Sequence, residues 1–149
     1  MAVNRKIKII AFVGLVGAGK TSAANYLASR GMPKVKFIDA DQAISELQNL
    51  VKAGQYHLVL NSMPTFSDYR KVKRAFPGSV TVVALTPDKA VRYSRLRRLL
   101  GNLAKFRDQE QFTVGKVIAN ADYTINTSSS ESDLHQRIDE ILKHTGILS

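Results

Sequence analysis

The stretch IIAFVGLVGAGKTSAANY, residues 9–26, dictates how the rest of the chain must fold. Its apolar run, Ile9 to Val13, stops at Gly14 and gives way to Gly14-x-x-x-x-Gly19-Lys20-Thr21, after which the chain can be helical. A buried strand, a Gly-rich turn and a helix in that order give the spacing its meaning as a Walker A phosphate-binding loop. The turn needs glycine because its backbone must curl with the N–H groups pointing inward, which sterics forbid to most residues. The helix that follows offers unpaired N–H groups and the positive end of its dipole to the same anion. The pattern predicts that Gly14, Val16, Gly17, Ala18, Gly19, Lys20, Thr21 and Ser22 line a nucleotide's phosphates. Lys20 would reach the β- and γ-phosphates, and the Thr21 hydroxyl would ligate Mg²⁺.

Composition fits this picture. At 149 residues, 44% of them hydrophobic and 23% charged, the chain is expected to form a single α/β domain over residues 1–149. It has no cysteine, which excludes disulfides and thiolate metal sites and makes a reducing cytoplasm the expected location. Arg5, Lys6 and Lys8 before an apolar run imitate a secretory signal, but a charged, Gly-rich turn stands where a small-residue cleavage site belongs. No apolar run approaches the ~20 residues of a membrane span, so no membrane partner is expected. The formal charge of +10 is concentrated in one region. Residues 70–107 hold eleven Lys or Arg against one acid, while the remainder balances at eleven of each. A local excess of this kind points to an anionic ligand or partner on one side of the molecule.

Outward from the loop, strands and helices alternate. Strands are predicted near residues 6–13, 35–39, 56–62, 79–85 and 122–126, the first apolar throughout as a central parallel strand should be. Helices are predicted over about 20–30, 40–52, from Thr65 or Ser67 to 76, and 89–100. A shorter one lies within 108–119, and the last follows Ser128 to Ser130 with Leu134, Ile138, Ile141 and Leu142 facing inward. Such alternation predicts a parallel sheet with right-handed crossovers.

The chemistry of such a site depends on acids at the C-terminal ends of neighbouring strands. Asp39 and Asp41 follow the second strand in FIDAD. If the chain stays extended there, i and i+2 place both carboxylates on one side. One could orient Mg²⁺ and the other accept a proton from a substrate hydroxyl. Equally, Asp41 could cap the next helix, and Asp39 could be a solvated turn residue. At the end of the third strand, where an acid is expected, the chain has Asn61. Its amide can accept a hydrogen bond or a metal, but brings no charge and cannot act as a base. Arg92, Arg95, Arg97 and Arg98 share one or two helical turns, and guanidinium groups grip phosphate bidentately. Arg95 and Arg98, with Arg107, are therefore candidate ligands for a transferring phosphoryl group. Arg70, Lys71, Lys73 and Arg74 read as a solvated helix face, and His57, His135 and His144 as structural or solvated residues without ligand spacing.

Together these residues resemble the small P-loop nucleoside and nucleotide kinases, of dephospho-CoA-kinase-like and adenylate-kinase-like type. The similarity runs through VGLVGAGKTSAANYLASRG, through the third and fourth strands with their helices, and through FRDQEQFTVGKVIANADYTIN to the last helix. GAGKT together with FIDAD is also similar to shikimate kinase, where the two acids of a Phe-x-Asp-x-Asp signature serve Mg²⁺ and the substrate hydroxyl. The resemblance implies a three-layer α/β/α sandwich with a five-stranded parallel sheet, the nucleoside monophosphate kinase-like P-loop NTPase fold. It also implies ATP and Mg²⁺ as cofactors, with Asp39 and Asp41 in those two roles and Thr21 and Asp39 as metal ligands. The family's helical acceptor-binding insertion after strand 2 is reduced here to room for one helix, and the LID is short.

Three functions follow from these features. The first is a kinase that moves the γ-phosphoryl group of ATP to a small-molecule acceptor, a nucleotide or another hydroxyl-bearing compound. The second, drawn from Asn61 and the reduced acceptor region, is a nucleotide-binding protein with little or no turnover. The third, drawn from the basic segment, is an NTPase that interacts with nucleic acid; only Tyr93 and Phe106 lie near that cluster, so a base-stacking platform is not expected.

Overall fold

The structure is a computed structural model that describes residues 7–14, 19–86, 115–127 and 130–147. The described strands are β1 (Lys8–Val13), β2 (Lys34–Val35), β3 (His57–Leu60), β4 (Val80–Leu85) and β5 (Tyr123–Ile125). They form one five-stranded sheet in the order β2-β3-β1-β4-β5, and every pairing is parallel. β1 is central, with Ala11 opposite Leu60 of β3 and Val13 opposite Ala84 of β4. A strand covered on both faces has no polar side to show, which is why Ile9 to Val13 is an unbroken apolar run.

The alternation of side chains along β1 divides the core in two. Ile9, Ala11 and Val13 point to one face, where Ala43 and Leu47 of α2 (Ala40–Lys52) pack with Val72 of α3 (Phe66–Ala75) and Val117 of α4 (Gly115–Ala119). Ile10 and Phe12 point to the other, against Ala23, Ala24 and Leu27 of α1 (Lys20–Ser29) and against Leu134, Ile138, Ile141 and Leu142 of α5 (Glu131–His144). The result is the expected three-layer α/β/α sandwich. Small Ala23 and Ala24, both fully buried, let α1 approach the sheet closely.

Local chemistry explains the helix boundaries. Asp39, Thr65 and Ser130 each cap the following helix by accepting a backbone N–H three residues on, from Gln42, Asp68 and Asp133. On the outer side of the sheet, the Tyr26 hydroxyl donates to Asp139 at 2.8 Å and Arg30 pairs with the same carboxylate at 3.0 Å. His135 stacks on the Tyr26 ring with centroids 3.8 Å apart. These contacts fasten α1 to α5. His135 is thus structural, as is His144 edge-on to Tyr123, and His57 is exposed at the start of β3.

Three strands end sooner than the sequence predicts. β2 stops at Val35 instead of reaching Asp39, β3 is trimmed to His57–Leu60, and β5 to Tyr123–Ile125. The shortening of β2 has a specific cause in Asn61, described below. The expected helix over 89–100 lies outside the described residues, with Arg92, Arg95, Arg97, Arg98 and Arg107. Among the described residues no helix is long and apolar enough to cross a membrane.

Candidate functional site

Because β1, β2 and β3 are parallel, their C-terminal ends share one edge of the sheet. That edge gathers Gly14 after β1, the start of α1, the Lys36-to-Asp39 link after β2, and Asn61 after β3. The strand order also makes the chain diverge here. β1 leads away towards β2 on one side, while β4 leads to β5 on the other, and open α/β sheets hold ligands above such a point.

Gly14 is buried directly beyond Val13. Gly19 precedes α1 with φ 99° and ψ 17°, a left-handed conformation open to glycine at little cost. Its carbonyl accepts the Ala23 N–H at 3.0 Å and opens the helix. α1 has no side-chain cap and no acid in its first turn. The other three long helices among the described residues have both: Asp39 with Asp41, Thr65 with Asp68, and Ser130 with Glu131 and Asp133. The N-terminus of α1 therefore keeps its positive dipole end uncompensated at the edge where β1 ends.

Lys20 is half-buried at the first position of α1. Burial holds its ammonium below the ordinary lysine value of 10.5, and among the described residues no carboxylate lies within ion-pairing distance. An anion beside it would relieve that cost. Thr21 and Ser22 follow on exposed positions of the same turn. Val16, Gly17 and Ala18 lie outside the described residues, as do Arg95, Arg98 and Arg107.

The acids are arranged differently from the extended pair considered in the sequence. The backbone is extended at Asp39 but helical from Ala40, so Asp41 sits in the first turn of α2 rather than beside Asp39 on one side of a strand. The cap is Asp39, not Asp41: its Oδ1 accepts from Gln42 N at 2.8 Å. A signal for this was present in the sequence, since Asp39 followed three residues later by Gln42 is a capping-box pattern. Asp39 and Asp41 are both exposed at the C-terminal edge.

Asn61 stands at the end of β3 as the sequence placed it, but the partner of its amide was not foreseen. One residue beyond the Ala11–Leu60 pair, it donates its backbone N–H to the Val35 carbonyl at 3.2 Å and accepts the Phe37 N–H on Oδ1 at 3.0 Å. The side chain thus takes a donor that the ladder would otherwise pair, and β2 ends. Nothing local to residues 36–39 encodes this, because the partner lies 24 residues away.

Among the described residues no group of three or more His, Cys, Asp or Glu could hold a metal alone. Thr21 and Asp39 supply hard oxygens, which suit Mg²⁺ bound through few protein ligands and substrate phosphates. A cavity of about 590 Å³ opens at the opposite edge, lined in part by Lys8, Arg30, Tyr56 and His57. Two of its cations already have partners: Lys8 donates to the Thr145 carbonyl after α5, and Arg30 is paired with Asp139 within α5.

The fold defined by these strands and this edge is that of the P-loop kinases. The chain overlays the shikimate kinase of Acinetobacter baumannii, solved with shikimate, at a TM-score of 0.63 and 17% identity, covering 93% of this chain and 94% of that one. It overlays the YorR protein of Bacillus subtilis, solved with phosphorylated GDP, at 0.68 and 17%, covering 95% and 99%. It overlays the APS kinase of Mycobacterium tuberculosis, solved with AMPPNP and APS, at 0.62 and 19%, covering 93% and 98%. In sequence it is 24% identical to UPF0200 proteins of Saccharolobus islandicus, over 91% of this chain and 92% of theirs. No family model matches it.

Proposed function

We propose that the protein is a kinase that transfers the γ-phosphoryl group of ATP to the hydroxyl or phosphate of a small molecule. The observation that carries this is the uncapped, acid-free N-terminus of α1 with half-buried Lys20 at its first position. The Gly14-to-Thr21 loop, with Val16, Gly17, Ala18 and Gly19, would surround the β-phosphate. Lys20 would neutralise the γ-phosphate, and Ser22 would add an N–H from the first turn. Thr21 and Asp39 would hold Mg²⁺, which when bound neutralises charge on the β- and γ-phosphate oxygens. Asp41 would orient the acceptor hydroxyl and take its proton as the acceptor oxygen bonds to the γ-phosphorus. The bond from that phosphorus to the bridging oxygen breaks, and ADP leaves. Arg95, Arg98 and Arg107 are assigned to the charge that builds on the transferring group. The solved neighbours support the nucleotide half: one holds AMPPNP, another phosphorylated GDP.

A second reading, ATP as a ligand without turnover, is favoured by two observations. Asn61 supplies no charge at the end of β3, and only one helix, α2, lies between β2 and β3. Calorimetry with ATP and Mg²⁺, beside an ADP-release assay over a panel of nucleotide, sugar and hydroxy-acid acceptors, separates the two. Acceptor-dependent ADP release that disappears in Lys20→Ala is the expected result. Tight binding with no release above background on any acceptor supports the second reading, and full turnover in Lys20→Ala overturns the first.

A further inference from the structure

We infer that Asn61 is a positioning residue, whose amide oxygen fixes the Asp39-bearing link at the C-terminal edge of the sheet and does so without charge. The hold on the link stands on geometry; its consequence for Mg²⁺ rests on the kinase reading above. β2 has two residues, and only Lys36 to Asp39 separate it from α2. So short a strand gives the link little ladder to hold it, and each buried N–H still needs a partner. Asn61 holds the end of β2 and the link at two points. Its N–H bonds the Val35 carbonyl, and its Oδ1 takes the next donor on the same side, Phe37 N–H, at 3.0 Å. Phe37 is anchored further by packing against the core formed by Val35, Leu47 and Leu60, whereas Ile38 beside it is 62% exposed. Two residues beyond Phe37, Asp39 is fixed from the other side by the bond from Gln42 N to Oδ1. That bond uses one carboxylate oxygen, and Oδ2 takes no part in it. The carboxylate is thus placed by a bond to its own helix and by the hold of Asn61 on the residue two before it.

The residue type follows from this duty. A hydrogen-bond acceptor of asparagine's length is needed to reach Phe37 N, and the neutral amide adds no second negative charge at an edge that is to receive phosphates. By holding the link through Oδ1, Asn61 would act on Mg²⁺ through the position of Asp39.

The test combines a ligand-free readout with a titration. Amide hydrogen exchange of the nucleotide-free protein is compared for wild type, Asn61→Ala and Asn61→Asp. Exchange at Phe37 and Gln42 should quicken about tenfold in Asn61→Ala, with the amides of α5 unchanged, and return towards wild type in Asn61→Asp, which can still accept the bond. Unchanged exchange at Phe37 and Gln42, or a uniform increase that includes α5, overturns the inference. Asn61→Ser, whose short side chain cannot span to Phe37, carries the same expectations should the alanine variant not fold. In calorimetry, the gain in ATP affinity on adding Mg²⁺ should fall about tenfold in Asn61→Ala and likewise in Asp39→Asn. The double variant should fall no further, because both changes break one linkage. Additive losses overturn the coupling. If wild type binds no ATP, the kinase reading falls and the metal role of Asp39 with it, while the exchange data decide the hold on the link independently.

Discussion

At the scale of single residues, Lys20 and Asp39 each combine a structural consequence with a chemical one, and the two can be separated. Burial lowers the Lys20 pKa from 10.5, so the folded state binds its proton less tightly than the unfolded state. Stability therefore rises with pH between the lowered value and 10.5, and below that window the cost is present in full. Lys20→Met should make the nucleotide-free protein at least as stable as wild type at pH 7, with the advantage shrinking as pH approaches 10.5. Urea unfolding at pH 7 and pH 10 measures this; a variant clearly less stable at pH 7 contradicts it. Asp39 gives the complementary case. Asp39→Ala removes the α2 cap and should cost about 1 kcal/mol. Asp39→Ser keeps a capping oxygen and should unfold within a few tenths of a kcal/mol of wild type, yet lose phosphoryl transfer as completely as the alanine variant. Equal stability losses in the two variants would show that the cap is not what Asp39 contributes.

Among the elements, the four long described helices fall into two kinds, and the difference explains what the sequence could disclose. α2, α3 and α5 begin on side-chain caps followed by acids, a signal carried within four residues and so readable locally. Thr65 shows its strength: Oγ1 accepts Asp68 N at 3.1 Å and donates to Asp68 Oδ2 at 2.7 Å. Thr65→Ala should cost about 1 kcal/mol, read as a lowered urea midpoint at unchanged slope. α1 begins on Gly19 with no such help, and the Gly14-x-x-x-x-Gly19-Lys20-Thr21 spacing gives the reason under the proposed function, an anion in place of a cap. The strands were legible where burial on both faces makes them apolar, as in Ile9 to Val13. β2 was not. VKFID has strand-forming residues through Ile38, but whether Phe37 N–H joins the ladder is decided by an amide oxygen 24 residues away. The same distance hid the positioning of Asp39, whereas its cap was visible in Asp39-x-x-Gln42. Contacts made within a turn leave a sequence pattern, and contacts made across the sheet do not.

For the whole molecule, the sheet separates two cores that lie on its opposite faces. Phe12, Leu27 and Ile138 lie in the core beneath α1 and α5, and Leu47, Leu58 and Leu60 in the one beneath α2 and α3. A nucleotide at the C-terminal edge would touch both, through α1 on one face and the α2 link on the other. Its binding should therefore stabilise the fold as a unit. At ATP concentrations about a hundredfold above Kd the gain is about 2.7 kcal/mol. For a chain of this length that corresponds to a rise of roughly 5–10 °C in Tm. Mg²⁺ with ATP should produce this shift in wild type and leave Lys20→Ala within about 1 °C of its ligand-free value. A core substitution separates stability from binding: Leu47→Ala should lower Tm through a loss of about 2–5 kcal/mol. Leu47 belongs to the core on the face of the sheet opposite α1, so that variant should keep most of its ATP-dependent rise. A rise that vanished in Leu47→Ala but survived in Lys20→Ala would mean that the stabilising anion binds elsewhere, and would move the phosphate site away from the start of α1.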